Sequence, residues 1–133
     1  MKLFTSPSQK IGEIGENETV KYLKKHNFKI LTRNYTKRCG EIDVIAEKDS
    51  VIHFVEVKTI VFHAQQWVGE PNIRPEENLT SHKIQRLQLT IQLYLSEQGI
   101  DEDQNWVFDL FCLYLDKKNE LSKIEIFNNL VPN

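Results

Sequence analysis

The sequence predicts a single mixed α/β domain in which a central β-sheet is flanked by two helices. Two segments carry apolar residues at helical spacing, and five others are rich in the β-branched and aromatic residues that are typical of strands. The predicted order is one helix, three strands, a second helix and two strands, which favours a mixed sheet covered by helices. The length of 133 residues suits one domain over residues 1–133, with a core at about residues 9–127.

The first helix is predicted over residues 9–26, followed by a strand over 28–33 and a polar connection over 34–40. Ser8 is suited to capping the start of the helix, and the polar pair His26-Asn27 is suited to ending it. The apolar residues of this helix share one stripe and comprise Ile11, Ile14, Val20 and Leu23. This stripe is the face that we expect to pack on the sheet.

A β-hairpin is predicted in the centre of the sequence. Its strands are EIDVIAE at 41–47 and VIHFVEVKTI at 51–60, and the residues KDS at 48–50 form the turn. Both strands are enriched in β-branched residues, which favour the pleated conformation. We therefore expect these two strands to pair antiparallel in the middle of the sheet.

The remaining elements lie in the second half of the chain. Residues 61–79 show no clean period, and a connection of this length is usually functional or mobile. A second helix is predicted over 81–98, and strands are predicted over 106–115 and 121–127, with an acidic loop at 99–105 between the helix and the first of them. The apolar stripe of the second helix comprises Ile84, Leu87, Ile91, Tyr94 and Leu95.

Composition and charge narrow the class of protein. A hydrophobic fraction of 40% and a charged fraction of 27% are ordinary for a globular domain, and we expect no membrane segment. Cys39 and Cys112 stand far apart without a pairing motif, so we expect two free thiols and a cytoplasmic location. The net charge is −2, yet the segment from Lys21 to Arg38 carries seven basic residues and no acid. This run, which includes Lys37, is either a surface for a phosphate backbone or a solvated face.

The charged residues of the hairpin are unexpected in so apolar a segment. Period-two alternation places Glu56 and Lys58 on one face of their strand. On the preceding strand, the same alternation groups Asp43 with Ile45, opposite Ile42, and the hairpin register brings Asp43 across from Glu56. Two carboxylates facing each other across paired strands repel, so a compensating positive charge is expected between them.

Two compensating charges are possible at this point. A hard divalent cation such as Mg²⁺ is bound by one or two carboxylates, and Lys58 would then help to orient an attacking water. Alternatively, Lys58 alone forms salt bridges with both acids. Glu16 stands in helical register with the buried stripe of the first helix, where an acid is normally paired or ligating, although it could also lie just off that stripe.

The second helix carries two cations in its first two turns. Lys83 and Arg86 flank the apolar stripe, at the helix end where positive charge opposes the macrodipole. Contact with an anion would explain this placement, and so would simple solvation.

Four motifs carry a resemblance to a known family. These are GEIGEN at 12–17, GEIDVIA at 40–46, FVEVKT at 54–59 and PEENLTSHKIQRL at 75–87. In combination they resemble the YraN family of small bacterial proteins over roughly residues 9–115. That family is placed in the PD-(D/E)xK nuclease superfamily and is similar to archaeal Holliday-junction resolvases.

The resemblance implies a fold and a set of site residues. The expected fold is a restriction-endonuclease-like core with a metal site on the central hairpin. Asp43, Glu56 and the backbone carbonyl of Val57 would bind Mg²⁺ or Mn²⁺. Lys58 would be the active-site lysine and Glu16 the accessory helix acid, while Lys83 matches the lysine of the second helix.

Three functional hypotheses follow from the sequence. The first is a metal-dependent endonuclease that hydrolyses phosphodiesters in DNA, with branched DNA as one substrate class and a homodimer as one assembly. Its catalytic residues would be Glu16, Asp43, Glu56 and Lys58, and its nucleic-acid-binding residues would be Lys37, Arg38, Lys83 and Arg86. The second is a nucleic-acid-binding module that keeps the nuclease fold without turnover. The third is a protein-interaction domain whose charges form a buried structural network.

Overall fold

A computed structural model describes residues 7–61 and 79–131. In chain order the elements are α1 (Pro7–Lys25), β1 (Lys29–Lys37), β2 (Gly40–Lys48), β3 (Val51–Val61), α2 (Ser81–Glu97), β4 (Trp106–Leu115) and β5 (Leu121–Phe127). The predicted element order is confirmed. The connection predicted over 61–79 falls mostly on residues 62–78, outside the described residues; Val61 itself is the last residue of β3.

The five strands form one sheet in the order β1-β2-β3-β4-β5. β3 and β4 pair parallel, and the other neighbouring strands pair antiparallel, so the predicted mixed sheet is confirmed. The hairpin register is also confirmed, since Val44 pairs with Val55 and Lys48 pairs with Val51. This register places Asp43 and Glu56 directly beyond the Val44–Val55 pair.

The two helices cover opposite faces of the sheet. Leu23 of α1 packs in one hydrophobic cluster with Val55, whereas Ile91 of α2 packs in another with Phe54. Because neighbouring residues on a strand point to opposite faces, Phe54 and Val55 place the helices on the two sides of β3. The residues of β2 and β3 that lead into the candidate site, Val44 and Val55, therefore lie in a layer covered from both sides.

The first strand is longer than predicted. β1 continues to Lys37, through four of the residues that were predicted to form a polar connection. Asn34 adopts a left-handed φ of 53°, a conformation that asparagine tolerates, and pairing resumes beyond it between Tyr35 and Ile42. The prediction was wrong because Tyr35 is anchored by an edge-to-face contact with Tyr94 of α2, which the local sequence does not reveal.

The alternation predicted for β2 was also wrong at one residue. Ile42 and Ile45 belong to the same cluster under α2, while Val44 belongs to the cluster under α1. Period two is therefore interrupted at Asp43, which stands next to the left-handed Asn34 of the paired strand. An irregularity of this kind reorients side chains, and here it lies at the predicted metal ligand.

The expectation of two free thiols has a structural counterpart. Both cysteines are free, with Cys112 buried and Cys39 half-buried. Within residues 7–61 and 79–131, no helix is long and apolar enough to cross a membrane.

A buried carboxylate, that of Asp109, ties β3 to β4 away from the candidate site. Asp109 is 2% exposed, and its Oδ2 lies 2.7 Å from Nδ1 of His53. Its other oxygen, Oδ1, accepts a hydrogen bond of 2.9 Å from the backbone N–H of Asn129, which follows β5. The Asp109 carboxylate thus links β4, on which it lies, to β3 and to the segment that follows β5.

Replacing Asp109 by alanine is expected to lower the free energy of unfolding by about 2 kcal/mol, because the half-buried His53 and the backbone N–H of Asn129 both lose a hydrogen-bond partner. Urea denaturation measures this change. The matched control is Glu102→Ala, in the exposed loop before β4, where a change within about 0.5 kcal/mol is expected. Equal stability of the two variants would contradict the structural role of Asp109.

Candidate functional site

Asp43 is the central residue of the candidate site. It is half-buried on β2, and its Oδ2 accepts a hydrogen bond of 2.7 Å from the backbone N–H of Val57 on β3. This bond crosses the hairpin where the regular pairing has just ended, at Val44 and Val55. The carboxylate is thereby held against the strand that carries Glu56 and Lys58.

The pKa of Asp43 is raised from 3.8 to about 6. Burial is the largest cause, and the hydrogen bond from Val57 opposes it by favouring the charged form. The negative charges of Glu16, Glu56 and Glu41 raise the pKa further. Three carboxylates, from α1, β2 and β3, thus add to burial in disfavouring the ionisation of Asp43.

Glu56 contacts α2, whereas Glu16 belongs to α1. Its Oε1 lies 3.1 Å from Nζ of Lys83, and its Oε2 lies 3.4 Å from the same atom. Lys83 stands in the first turn of α2, where Thr80 caps the helix by accepting a hydrogen bond from the Lys83 N–H. The predicted nucleic-acid-binding lysine is therefore paired with a predicted metal ligand.

Lys58 lies on the exposed part of β3, two residues beyond Glu56. In the parallel register it stands beside Cys112 of β4. Burial and Glu125 raise the pKa of the Cys112 thiol to about 11, whereas the ammonium group of Lys58 opposes that rise. Lys58 thus shares the face of Glu56, as alternation predicts, and its catalytic role stays a prediction.

Glu16 reaches the site because α1 approaches β3 very closely at the preceding residue. A Cβ added to Gly15 would lie only 1.8 Å from Oγ1 of Thr59, so no larger residue fits there without movement. The Gly15 carbonyl also accepts a hydrogen bond of 2.8 Å from the buried Thr19 hydroxyl. This close contact brings Glu16 near enough to raise the pKa of Asp43.

The acids have the chemistry of a hard-cation site. Carboxylate oxygens are the ligands that Mg²⁺ and Mn²⁺ prefer, and a site with one or two carboxylates and several waters is usual for Mg²⁺. Among the residues that the structure describes, no three His, Cys, Asp or Glu side chains are grouped closely enough to bind a metal ion by themselves. A cation held by Asp43 and Glu56 would therefore need water molecules to complete its coordination.

A cavity of about 590 Å³ opens beside Glu56, between the β1–β2 turn and the start of α2. All four predicted nucleic-acid-binding residues line it: Lys37, Arg38, Lys83 and Arg86. Nζ of Lys37 also lies 3.3 Å from Oε2 of Glu97. The Nε–H of Arg86 donates a hydrogen bond of 3.3 Å to the carbonyl oxygen of Cys39. Residues that are distant in sequence thus form one positively charged concavity that includes Glu56.

The comparison with protein families bears on the same residues. The model of "Uncharacterised protein family UPF0102" matches residues 15–113, which include every site residue discussed above. The chain belongs to this family. The resemblance to the YraN family is confirmed, since UPF0102 and YraN are the same family.

Curated UPF0102 proteins of several Campylobacter species are similar to this chain. A protein of Campylobacter jejuni subsp. doylei is 36% identical over 102 residues, which cover 77% of this chain and 81% of that protein. A protein of Campylobacter hominis is 37% identical over 94 residues, covering 71% of this chain and 76% of its own. A protein of Campylobacter fetus is 34% identical over 116 residues, which cover 87% of this chain and 88% of that protein.

One solved structure, "Structure of EndoMS-dsDNA2 complex", aligns with 86% of this chain at 14% identity and a TM-score of 0.36. This chain spans 38% of the length of that one.

Two residues of the site were missed as functional candidates by sequence reasoning. Glu41 contributes to the raised pKa of Asp43, and its position two residues before Asp43 on β2 is a signal that could have identified it. His82 lines the positively charged cavity, next to Lys83 in the first turn of α2. Its only signal in the sequence is that neighbourhood.

Proposed function

We propose that this member of UPF0102 is a Mg²⁺- or Mn²⁺-dependent endonuclease that hydrolyses phosphodiesters in DNA, with branched DNA among its substrates. The observation that carries the proposal is the position of Asp43. It is half-buried among three other carboxylates, on the hairpin that adjoins a cavity lined by four cations. A restriction-endonuclease-like core belongs to the same proposal.

Asp43 and Glu56, together with the Val57 carbonyl, would hold the divalent cation. When bound, the cation would activate water and stabilise the negative charge that develops on the phosphate. The hydrogen bond from the Val57 N–H orients one oxygen of Asp43 along the hairpin. Glu16 adds negative charge from α1 and so increases the affinity of the site for a cation.

Lys58 and the cavity have separate tasks in this proposal. Lys58, on the Glu56 face, would orient the attacking water or neutralise charge at the reacting phosphate. Lys37, Arg38 and Arg86 would contact flanking phosphates, which carry no sequence information but position the strand.

A cytoplasmic location accords with the two free thiols. A homodimer is required only if two strands of a branched substrate are cut together.

Cleavage of defined DNA substrates tests this proposal. Single-stranded, duplex and four-way-junction DNA are incubated with the protein in Mg²⁺, in Mn²⁺ and in EDTA, and products are resolved on denaturing gels. We expect cleavage of at least one substrate with metal and none in EDTA. Asp43→Ala is expected to lower the rate by at least about 100-fold, because metal binding contributes several kcal/mol to such reactions.

The matched control is Glu47→Gln, which changes an acid on the same strand outside the site. It should cleave at the wild-type rate. Cleavage by Asp43→Ala at the wild-type rate would overturn the proposed role of Asp43.

A non-catalytic nucleic-acid-binding module is the second candidate. It is favoured by the cavity, which brings four cations together, and by the lack of three grouped ligating side chains within the described residues. This candidate predicts no cleavage of any substrate, together with DNA binding that persists in EDTA and weakens steeply with salt. The same substrates in a gel-shift assay distinguish the two functions.

A further inference from the structure

We propose that Lys83 acts as a built-in competitor of the divalent cation for Glu56, so that metal binding releases its ammonium group into the positively charged cavity. This inference rests on the proposed function, since it concerns the affinity of the same carboxylate site. It gives Lys83 a second role, the control of metal affinity, in addition to contact with nucleic acid.

The contact geometry supports competition for Glu56. Nζ of Lys83 lies within 3.4 Å of both carboxylate oxygens of Glu56. Both side chains are partly shielded from water, at 43% exposure for Lys83 and 32% for Glu56. An ammonium group in this position and a metal ion require the same lone pairs, so both cannot bind Glu56 fully at once.

The position of Lys83 on its helix makes the ion pair conditional. Lys83 occupies the first turn of α2, which contains no acidic residue, and a cation there opposes the helix macrodipole. Glu56 compensates for that unfavourable placement in the metal-free protein. A divalent cation at Glu56 would remove the compensation and repel the ammonium group as well.

The surroundings of Lys83 provide a destination for the displaced side chain. Lys83 lines the cavity of about 590 Å³ with Lys37, Arg38 and Arg86. Glu41 and Glu56 line the same cavity, so with Glu56 bound to the metal four cations would face one remaining acid, Glu41. This excess of positive charge would attract a DNA phosphate. Metal binding and DNA binding would then strengthen each other, as reciprocal coupling requires.

Calorimetric titration of the full chain with Mn²⁺ tests this inference without relying on activity. Lys83→Gln is expected to bind Mn²⁺ roughly three- to fivefold more tightly than the wild type, because the competing ion pair is removed. Arg86→Gln is the matched control, since it removes one cation from the same helix and cavity without contacting Glu56. Its affinity for Mn²⁺ should change less than about twofold, which excludes a general effect of net charge.

The outcomes separate the inference from the proposed function. The inference is overturned if Lys83→Gln and Arg86→Gln tighten Mn²⁺ binding equally, or if Lys83→Gln weakens it. The metal site stands in either case, provided that Mn²⁺ binding depends on Asp43. No Mn²⁺ binding by the wild type, or equal binding by Asp43→Ala, overturns both. A thermal melt of each variant in EDTA verifies that the proteins compared are folded.

Discussion

Asp43→Asn is expected to stabilise the metal-free protein at pH 7.5 by about 2 kcal/mol while removing its affinity for Mn²⁺. The carboxylate is held among the charges of Glu16, Glu41 and Glu56, and burial adds to the cost of its ionisation. Asparagine is similar in shape and its oxygen can still accept the hydrogen bond from the Val57 N–H, so the penalty is removed and the contact is kept. Residues that destabilise a fold in this way are characteristic of functional sites.

The pH dependence follows from the raised pKa. The folded protein holds the Asp43 proton up to about pH 6, whereas the unfolded chain releases it near the ordinary value of 3.8. Stability associated with this group is therefore fully present below pH 3.8, declines as pH rises, and is lost above pH 6. The gap between the two pKa values corresponds to roughly 3 kcal/mol, which sets an upper limit on the difference between variant and wild type.

Urea denaturation from pH 4 to pH 8 in EDTA measures this difference. The stability advantage of Asp43→Asn should be small at pH 4, increase up to about pH 6.5 and stay constant above it. Glu47→Gln, on the same strand, serves as the control and should show no such increase. An Asp43→Asn protein that is less stable than the wild type at pH 7.5 would contradict the crowding of carboxylates around Asp43.

Gly15→Ala is the second substitution with a large expected effect. Its new methyl group would lie 1.8 Å from Oγ1 and 2.9 Å from Cβ of Thr59, so α1 must move away from β3. We expect a loss of about 2 kcal/mol in the free energy of unfolding, despite the better helix propensity of alanine. Weaker Mn²⁺ binding should accompany this loss, because Glu16 moves with the helix.

Gly12→Ala is the matched control for this substitution. Gly12 lies three residues earlier on α1 and has no atom within 4 Å of an added Cβ, so alanine should raise stability by about 0.5 to 1 kcal/mol. Thr59→Ala in the Gly15→Ala background removes the two Thr59 atoms beyond Cβ and should restore part of the stability. A loss of the same size in Gly12→Ala and Gly15→Ala would show that the close contact is not its cause.

The elements were predictable because their signals are local. The hairpin register that places Asp43 beside Glu56 follows from a short turn and from strands that alternate regularly near it. The second helix was predicted within one residue because Thr80 caps it and its apolar stripe is continuous. The end of β1 was not predictable, since Tyr35 extends the strand through its contact with Tyr94, a residue far away in the sequence.

The composition of the site was predictable to a lesser degree. Asp43, Glu56 and Lys58 stand out because charges are rare in apolar strands, and this departure is visible in the sequence alone. The pairing of Lys83 with Glu56 was not visible, because it depends on how α2 lies over β3. For the same reason, Lys37 and Lys83 were predicted to bind nucleic acid without any indication that they share one cavity.

The sequence by itself determined the order of the elements, the hairpin that carries Asp43 and Glu56, and membership of the family. Periodicity and turn composition act over a few residues, which is why the elements and the hairpin are encoded locally, whereas the family is indicated by several short motifs taken together. Only the tertiary structure decided the environment of the acids: the raised pKa of Asp43, the approach of Glu16 through Gly15, and the Lys83–Glu56 pair. Burial and charge proximity are properties of packed elements, so they arise only where α1 and α2 close over the two faces of the sheet.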